Sequence, residues 1–108
     1  MKIMNTIISN TNLEVMKKNS LKAEKMLKLL ANSKRLLILC NLLRKECSVN
    51  ELSELVGLSQ SALSQHLAKM RQEGLVITNK QGTTSYYRIN KPEVEAILST
   101  LYLIYCKE

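Results

Sequence analysis

The chain has 108 residues, a mass of 12.3 kDa and a formal net charge of +7, from sixteen Lys+Arg against nine Asp+Glu. That length builds one ordinary domain and excludes a multidomain enzyme with a large enclosed active site. A pI near 9.5 points to a polyanionic partner, and 45% apolar content without Trp or Phe describes an aliphatic, helix-rich core, not a disordered chain.

Residues 1–12, rich in Asn, Ser and Thr, read as a loose arm ahead of one domain over 13–108. Asn and Thr interrupt the arm's apolar positions, so it lacks a signal-peptide core. The longest aliphatic run, Leu36-Leu37-Ile38-Leu39-Cys40, is five residues, whereas a bilayer span needs roughly 20. A cytoplasmic chain without membrane association is the expectation. There a disulfide framework is disfavoured, and the three cysteines act, if at all, as reactive thiols or ligands.

The first helix is predicted over 13–31, where Ala23, Met26, Leu27 and Leu30 recur at helical spacing opposite a lysine-rich face. Asn12 and Ser20 both qualify as its cap. The stretch 13–35 carries +5, from seven basic residues against Glu14 and Glu24, the pattern of a solvated helix face. Ser33 is the predicted cap of a second helix over 34–46, with Leu36, Leu39, Cys40 and Leu43 as its apolar stripe and Cys40 pointing inward.

Ser48-Val49-Asn50-Glu51 then fits the capping box, in which a Ser hydroxyl and a Glu carboxylate each satisfy an orphan backbone N–H. Leu52, Leu55 and Val56 form the apolar face of that short helix, and Gly57 is the residue able to end it in a left-handed conformation. Ser59 caps the next helix, 60–73, whose Leu63, Leu67 and Met70 face the core. Its other side shows Ser61, Gln65, Ala68 and Gln72, flanked by Ser64 and Lys69. Solvated helices more often carry Glu/Lys pairs; here hydrogen-bonding groups of a reach suited to base edges stand on a face without carboxylates. Helix, tight turn, helix is the result, with the second helix as DNA reader.

Two β-rich runs, 75–78 and 84–89, flank a polar loop containing Gly82, so a hairpin or wing follows. Lys80 is placed at its tip, with Gln81 and Thr83 in reach of phosphate or minor groove. The stretch 59–91 carries +4, with Glu73 its one carboxylate. Pro92 opens a last helix predicted to run to the chain end, with Val94, Ile97, Leu98, Leu101 and Tyr105 on one face.

Three segments together resemble the ArsR/SmtB family of winged-helix repressors: Leu29-Leu30-Ala31-Asn32-Ser33-Lys34-Arg35-Leu36-Leu37-Ile38-Leu39, then residues 51–67 with Gly57-Leu58-Ser59-Gln60-Ser61-Ala62-Leu63-Ser64-Gln65-His66-Leu67, then Leu75-Val76. The resemblance implies a mainly α winged helix-turn-helix fold of about five helices plus a β-hairpin wing. It further implies a homodimer built on the first and last helices, bound to double-stranded operator DNA with inverted half-sites and released by an inducer. The expected DNA contacts are Ser59, Gln60, Ser61, Ser64, Gln65, His66, Lys69, Lys80, Gln81 and Thr83.

Where thiolate-sensing members carry a Cys-Val-Cys-Asp-Leu box, this chain has Ser48-Val49-Asn50-Glu51-Leu52. Both ligand cysteines are missing, and the single His, His66, lies in the DNA-reading helix, so no metal and no cofactor is expected. Cys47 beside the box reads as an incidental thiol. Cys40 and Cys106 stand where the dithiol, persulfide-responsive BigR/SqrR/YgaV branch has its pair. That likeness implies that reactive sulfur species or an oxidant join them through a disulfide or polysulfide and so loosen DNA binding. The alternatives are a metal- or metalloid-responsive repressor with cysteine ligands, a winged-helix protein–protein module, and, for the two thiols, a small buried hydrophobe and a tail residue. An enzyme is not expected, because no base is placed near Cys40.

Overall fold

The computed structural model describes residues 12–107; the rest of the predicted arm lies outside the described residues. Contacts divide the chain between Ala31 and Asn32 into two units. The first is α1 (Leu13–Leu30). Its cap is Asn12, whose backbone is extended and whose Oδ1 accepts from the Glu14 N–H at 2.7 Å. Ser20, the other candidate, lies inside the helix and donates to the Lys17 carbonyl. Of the predicted stripe only Leu30 is buried, and Leu27 is 56% exposed.

The second unit holds α2 (Ser33–Leu42), β1 (Cys47–Ser48), α3 (Val49–Val56), α4 (Gln60–Gln72), β2 (Val76–Gln81), β3 (Thr84–Ile89) and α5 (Pro92–Tyr105). Five helices and a wing are thus present among the described residues, as the winged-helix fold requires. The strands form one antiparallel sheet in the order β1-β3-β2, with Cys47 opposite Tyr87 and Val76 opposite Ile89. The two-residue β1 was not anticipated, since so short a strand has no periodicity of its own. Its pairing with β3 extends the hairpin into a three-stranded sheet and buries Cys47 completely.

Two boundaries of α2 differ from expectation. Asn32 replaces Ser33 as the cap, because its extended backbone lets Oδ1 accept from both the Lys34 and Arg35 N–H groups. The helix stops at Leu42 instead of 46, where the Arg44 N–H turns to the nearer Asn41 carbonyl and the chain leaves toward the sheet. The buried stripe is also rotated, onto Ile38, Leu39 and Leu42. Cys40 is therefore only half-buried, a correction to its inward placement.

Leu52 of α3, Leu63, Leu67 and Met70 of α4, Leu75, Val76, and Val94 and Leu98 of α5 complete the core, each at most 1% exposed. Fully burying one such side chain stabilises by about 1.5–3 kcal/mol, more than a single cap contributes. The core decides that the unit folds; the caps decide where its helices point.

Candidate nucleic-acid interface and thiol cleft

The α3–α4 corner is fixed by side chains that complete backbone hydrogen bonds. The Glu51 N–H donates to Ser48 Oγ at 3.2 Å and the Ser48 N–H to Glu51 Oε1 at 3.1 Å, the reciprocal capping box. Lys45 Nζ reaches Glu51 Oε2 at 3.1 Å. The Ser48 backbone N–H, and then Lys45, hold the Glu51 carboxyl below its ordinary range. Gly57 ends α3 at φ 72°, a conformation that strains any side-chain-bearing residue. Ser53 Oγ donates across the turn to the Leu58 carbonyl at 2.7 Å, and Ser59 Oγ accepts from the Ala62 N–H at 3.1 Å to start α4. Between the two helices, Gln60 Nε2 donates to Asn50 Oδ1.

With Leu63, Leu67 and Met70 buried, α4 turns Gln60, Ser61, Ser64, Gln65, Ala68, Lys69 and Gln72 to solvent. Ser59 is exposed at its start, and His66 is half-buried at the edge of this face. Lys69 leans on Glu73 at 3.5 Å. Leu55, predicted as part of the apolar face of α3, is 51% exposed.

The wing corrects one placement. Lys80 and Gln81 are strand residues, paired with Ser85 and Thr84, and the tip is Gly82-Thr83. Gly82, at φ 65°, takes the first central position, which type II′ turns give to glycine. The tight turn lets β2 run three residues further than the polar composition suggested. Lys80, Gln81 and Thr83 are nonetheless exposed.

A second constellation lies between α2 and α5. Leu36, Cys40, Leu101, Tyr102, Tyr105 and Cys106 line one apolar cleft of about 280 Å³, so the fold brings the two predicted thiols together. The helix ends at Tyr105 before the chain terminus, and Cys106 is its exposed C-cap. Cys40 also borders a neighbouring cleft with Leu43, Arg44 and Tyr102. All three cysteines are free thiols. Burial, and then the nearby Cys106, push the Cys40 thiol up. Cys47 is pushed up by burial and by Glu51, donates to the Lys45 carbonyl and lies outside the shared cleft.

Sequence patterning missed Asn50 and Tyr102. Asn50 faces Gln60 across a turn, which no helical period reports; Tyr102 precedes Cys106 by one turn, a spacing that offered a signal. Among the described residues no three His, Cys, Asp or Glu side chains group as metal ligands, and no helix is long and apolar enough to cross a membrane.

The family model described as bacterial regulatory protein, arsR family, matches residues 32–78. The transcriptional activator HlyU of Vibrio cholerae is 52% identical over 96 residues, 89% of each chain. Its structure in the reduced form superposes with a TM-score of 0.83, covering 87% of this chain and 99% of that one. The HTH-type transcriptional regulator YgaV of Escherichia coli is 41% identical over 97 residues, 89% of this chain and 98% of that one. The structure of the repressor BigR from Xylella fastidiosa is 32% identical, with a TM-score of 0.80 over 91% of this chain and all of that one.

Proposed function

The chain belongs to the arsR family of bacterial regulatory proteins and is a transcriptional regulator, and from that premise we propose that it is a DNA-binding repressor switched by linkage of Cys40 to Cys106. As a homodimer joined through α1 and α5, it places two α4 helices in successive major grooves of an inverted repeat. Ser61, Ser64, Gln65 and Gln60 read base edges, with Ser59 and His66 at the rim of the contact. Lys69 and Lys80, with Gln81 and Thr83, hold phosphate. Occupancy of an operator that overlaps a promoter represses; occupancy elsewhere activates, the output that the Vibrio cholerae relative's name states for that protein.

The observation that carries the switch is the shared cleft, which gathers two thiols from opposite ends of the unit among apolar side chains. An organic persulfide, RSSH, supplies the oxidising sulfur. One thiolate takes its outer sulfur and expels RS⁻; the second thiolate attacks the protein-bound sulfur of that persulfide and expels HS⁻. The balance is two protein thiols and RSSH giving one disulfide, RSH and hydrogen sulfide; a second RSSH inserts a further sulfur and yields another RSH. A bond between α2 and α5 ties the DNA-reading unit to its dimer helix and biases the spacing of the two α4 helices, and cellular thiols reverse it.

The test is operator binding with and without an organic persulfide, for the wild type, Cys40→Ser and Cys106→Ser. Linkage is expected to weaken the wild type about 5- to 150-fold, the usual range of coupling between sites, and to leave both variants bound. Undiminished release in both variants overturns the switch. Wild-type binding that shows no sequence preference and vanishes at moderate salt overturns the operator assignment.

A further inference from the structure

We propose that Asn50, on the first helix of the helix-turn-helix, sets base preference by orienting Gln60 on the second, so that one operator position in each half-site must carry cytosine or adenine on the strand that Gln60 faces. The inference rests on the reading of α4 as the DNA-contacting helix and adds a residue outside it.

Asn50 and Gln60 are both exposed, ten residues apart, and joined across the corner from Gln60 Nε2 to Asn50 Oδ1. The corner itself does not depend on this bond. Gly57, the Ser53 hydroxyl on the Leu58 carbonyl, and the Ser59 cap already fix the turn. The tie therefore acts on the Gln60 side chain, not on the angle between helices. Gln60 is the first residue of α4, at the end of a recognition helix that approaches base edges. A free glutamine rotates and can present either its carbonyl or its amide to a base. With one of the two Nε2 hydrogens committed to Asn50, free rotation of the amide is lost and the tie favours presentation of Oε1 as the acceptor. In the major groove the donors that satisfy it are the N4 amino group of cytosine and the N6 amino group of adenine; each base pair holds one of the two, so the choice is which strand bears it, because guanine and thymine on the faced strand offer only acceptors at that edge.

Asn50 is thus a positioning residue, and its loss has a signature that a phosphate contact or a fold defect lacks. Binding of a randomised operator library, read position by position, compares the wild type with Gln60→Ala, Asn50→Ala, Asn50→Asp and the double alanine variant. Gln60→Ala is expected to flatten preference at one position per half-site by about three- to tenfold, the effect of one neutral hydrogen bond. Asn50→Ala should flatten that same position and no other, and the double variant should add nothing. Asn50→Asp keeps an acceptor for Gln60 Nε2, so it should retain the preference while its charge weakens binding to every sequence alike.

Three results overturn the proposal: Asn50→Ala changing a different position, lowering all sequences equally, or changing nothing while Gln60→Ala flattens one. A wild type that still discriminates at positions set by Ser64 and Gln65, but is indifferent to Gln60→Ala, also overturns it and leaves the reading of α4 intact. A wild type without any base preference removes both together.

Discussion

Between Ser48 and Ala62, Ser48, Glu51, Ser53, Ser59 and Gln60 each close a hydrogen bond to the backbone or to a neighbouring side chain. The cleft between α2 and α5, by contrast, is walled by Leu36, Leu101, Tyr102 and Tyr105 around two free thiols. Hydrogen bonds are directional and set angles, whereas apolar contact is non-directional and tolerates small displacements. One region of the unit is held by directional bonds and the other by contacts that tolerate displacement, the difference that the switch proposed above requires between a DNA reader and a thiol sensor.

The hardest blow to this contrast removes the core the two regions share. Leu67 is fully buried in α4, so Leu67→Ala should cost about 2–5 kcal/mol in denaturant unfolding. Operator binding should be lost and alkylation of Cys40 should accelerate in one transition. Two separate transitions would show that reader and cleft fold independently.

Next in size is a division within the reader. Gln65→Ala should lose about 1–3 kcal/mol of discrimination at one base pair, while Lys80→Ala should weaken all sequences alike and reduce the salt slope by about 1. Equal losses on all sequences for Gln65→Ala would reassign that side chain to the backbone. Smaller again is Ser48→Ala, which removes the capping box and should lower stability by about 0.5–2 kcal/mol. Measured by thermal unfolding beside iodoacetamide labelling in the native range, it should leave the labelling rate of Cys40 unchanged. A faster rate would mean that the polar corner and the apolar cleft are not separately held.

The same contrast explains what the amino-acid sequence discloses. The capping box, Gly57, the Ser59 cap and the buried positions of α4 are local, because every partner lies within a few residues and each residue type has a specific geometric role. The wing's existence was equally local. What escaped needed distant partners or a choice between neighbours. Asn32 and Ser33 are both good caps, and only the backbone at Asn32 decides between them. The strand at Cys47 is set by pairing with β3, nearly forty residues on. The position of Lys80 within β2 depended on a two-residue turn where composition suggested a longer loop. The thiol pair was found by family likeness, since no spacing along the chain says that residues 40 and 106 share a cleft.

The smallest effect separates the two regions by pH. The Glu51 carboxyl is held below its ordinary value of 4.5 by the Ser48 N–H and by Lys45, so folding favours its charged form. Its contribution is complete above the ordinary value and is lost as pH falls through the lower folded one. Cys40 behaves with the opposite sign. Burial, with Cys106 beside it, raises the thiol above 9.0, so folding favours the neutral form. That contribution is complete below the ordinary value and is lost as pH rises through the folded one. Acid should therefore loosen the polar corner first and alkali the apolar cleft. Circular dichroism across both limbs checks this: Glu51→Gln should flatten only the acid limb and Cys40→Ser only the alkaline one. If either substitution altered both limbs, the corner and the cleft would be a single electrostatic unit and the division between them would fall.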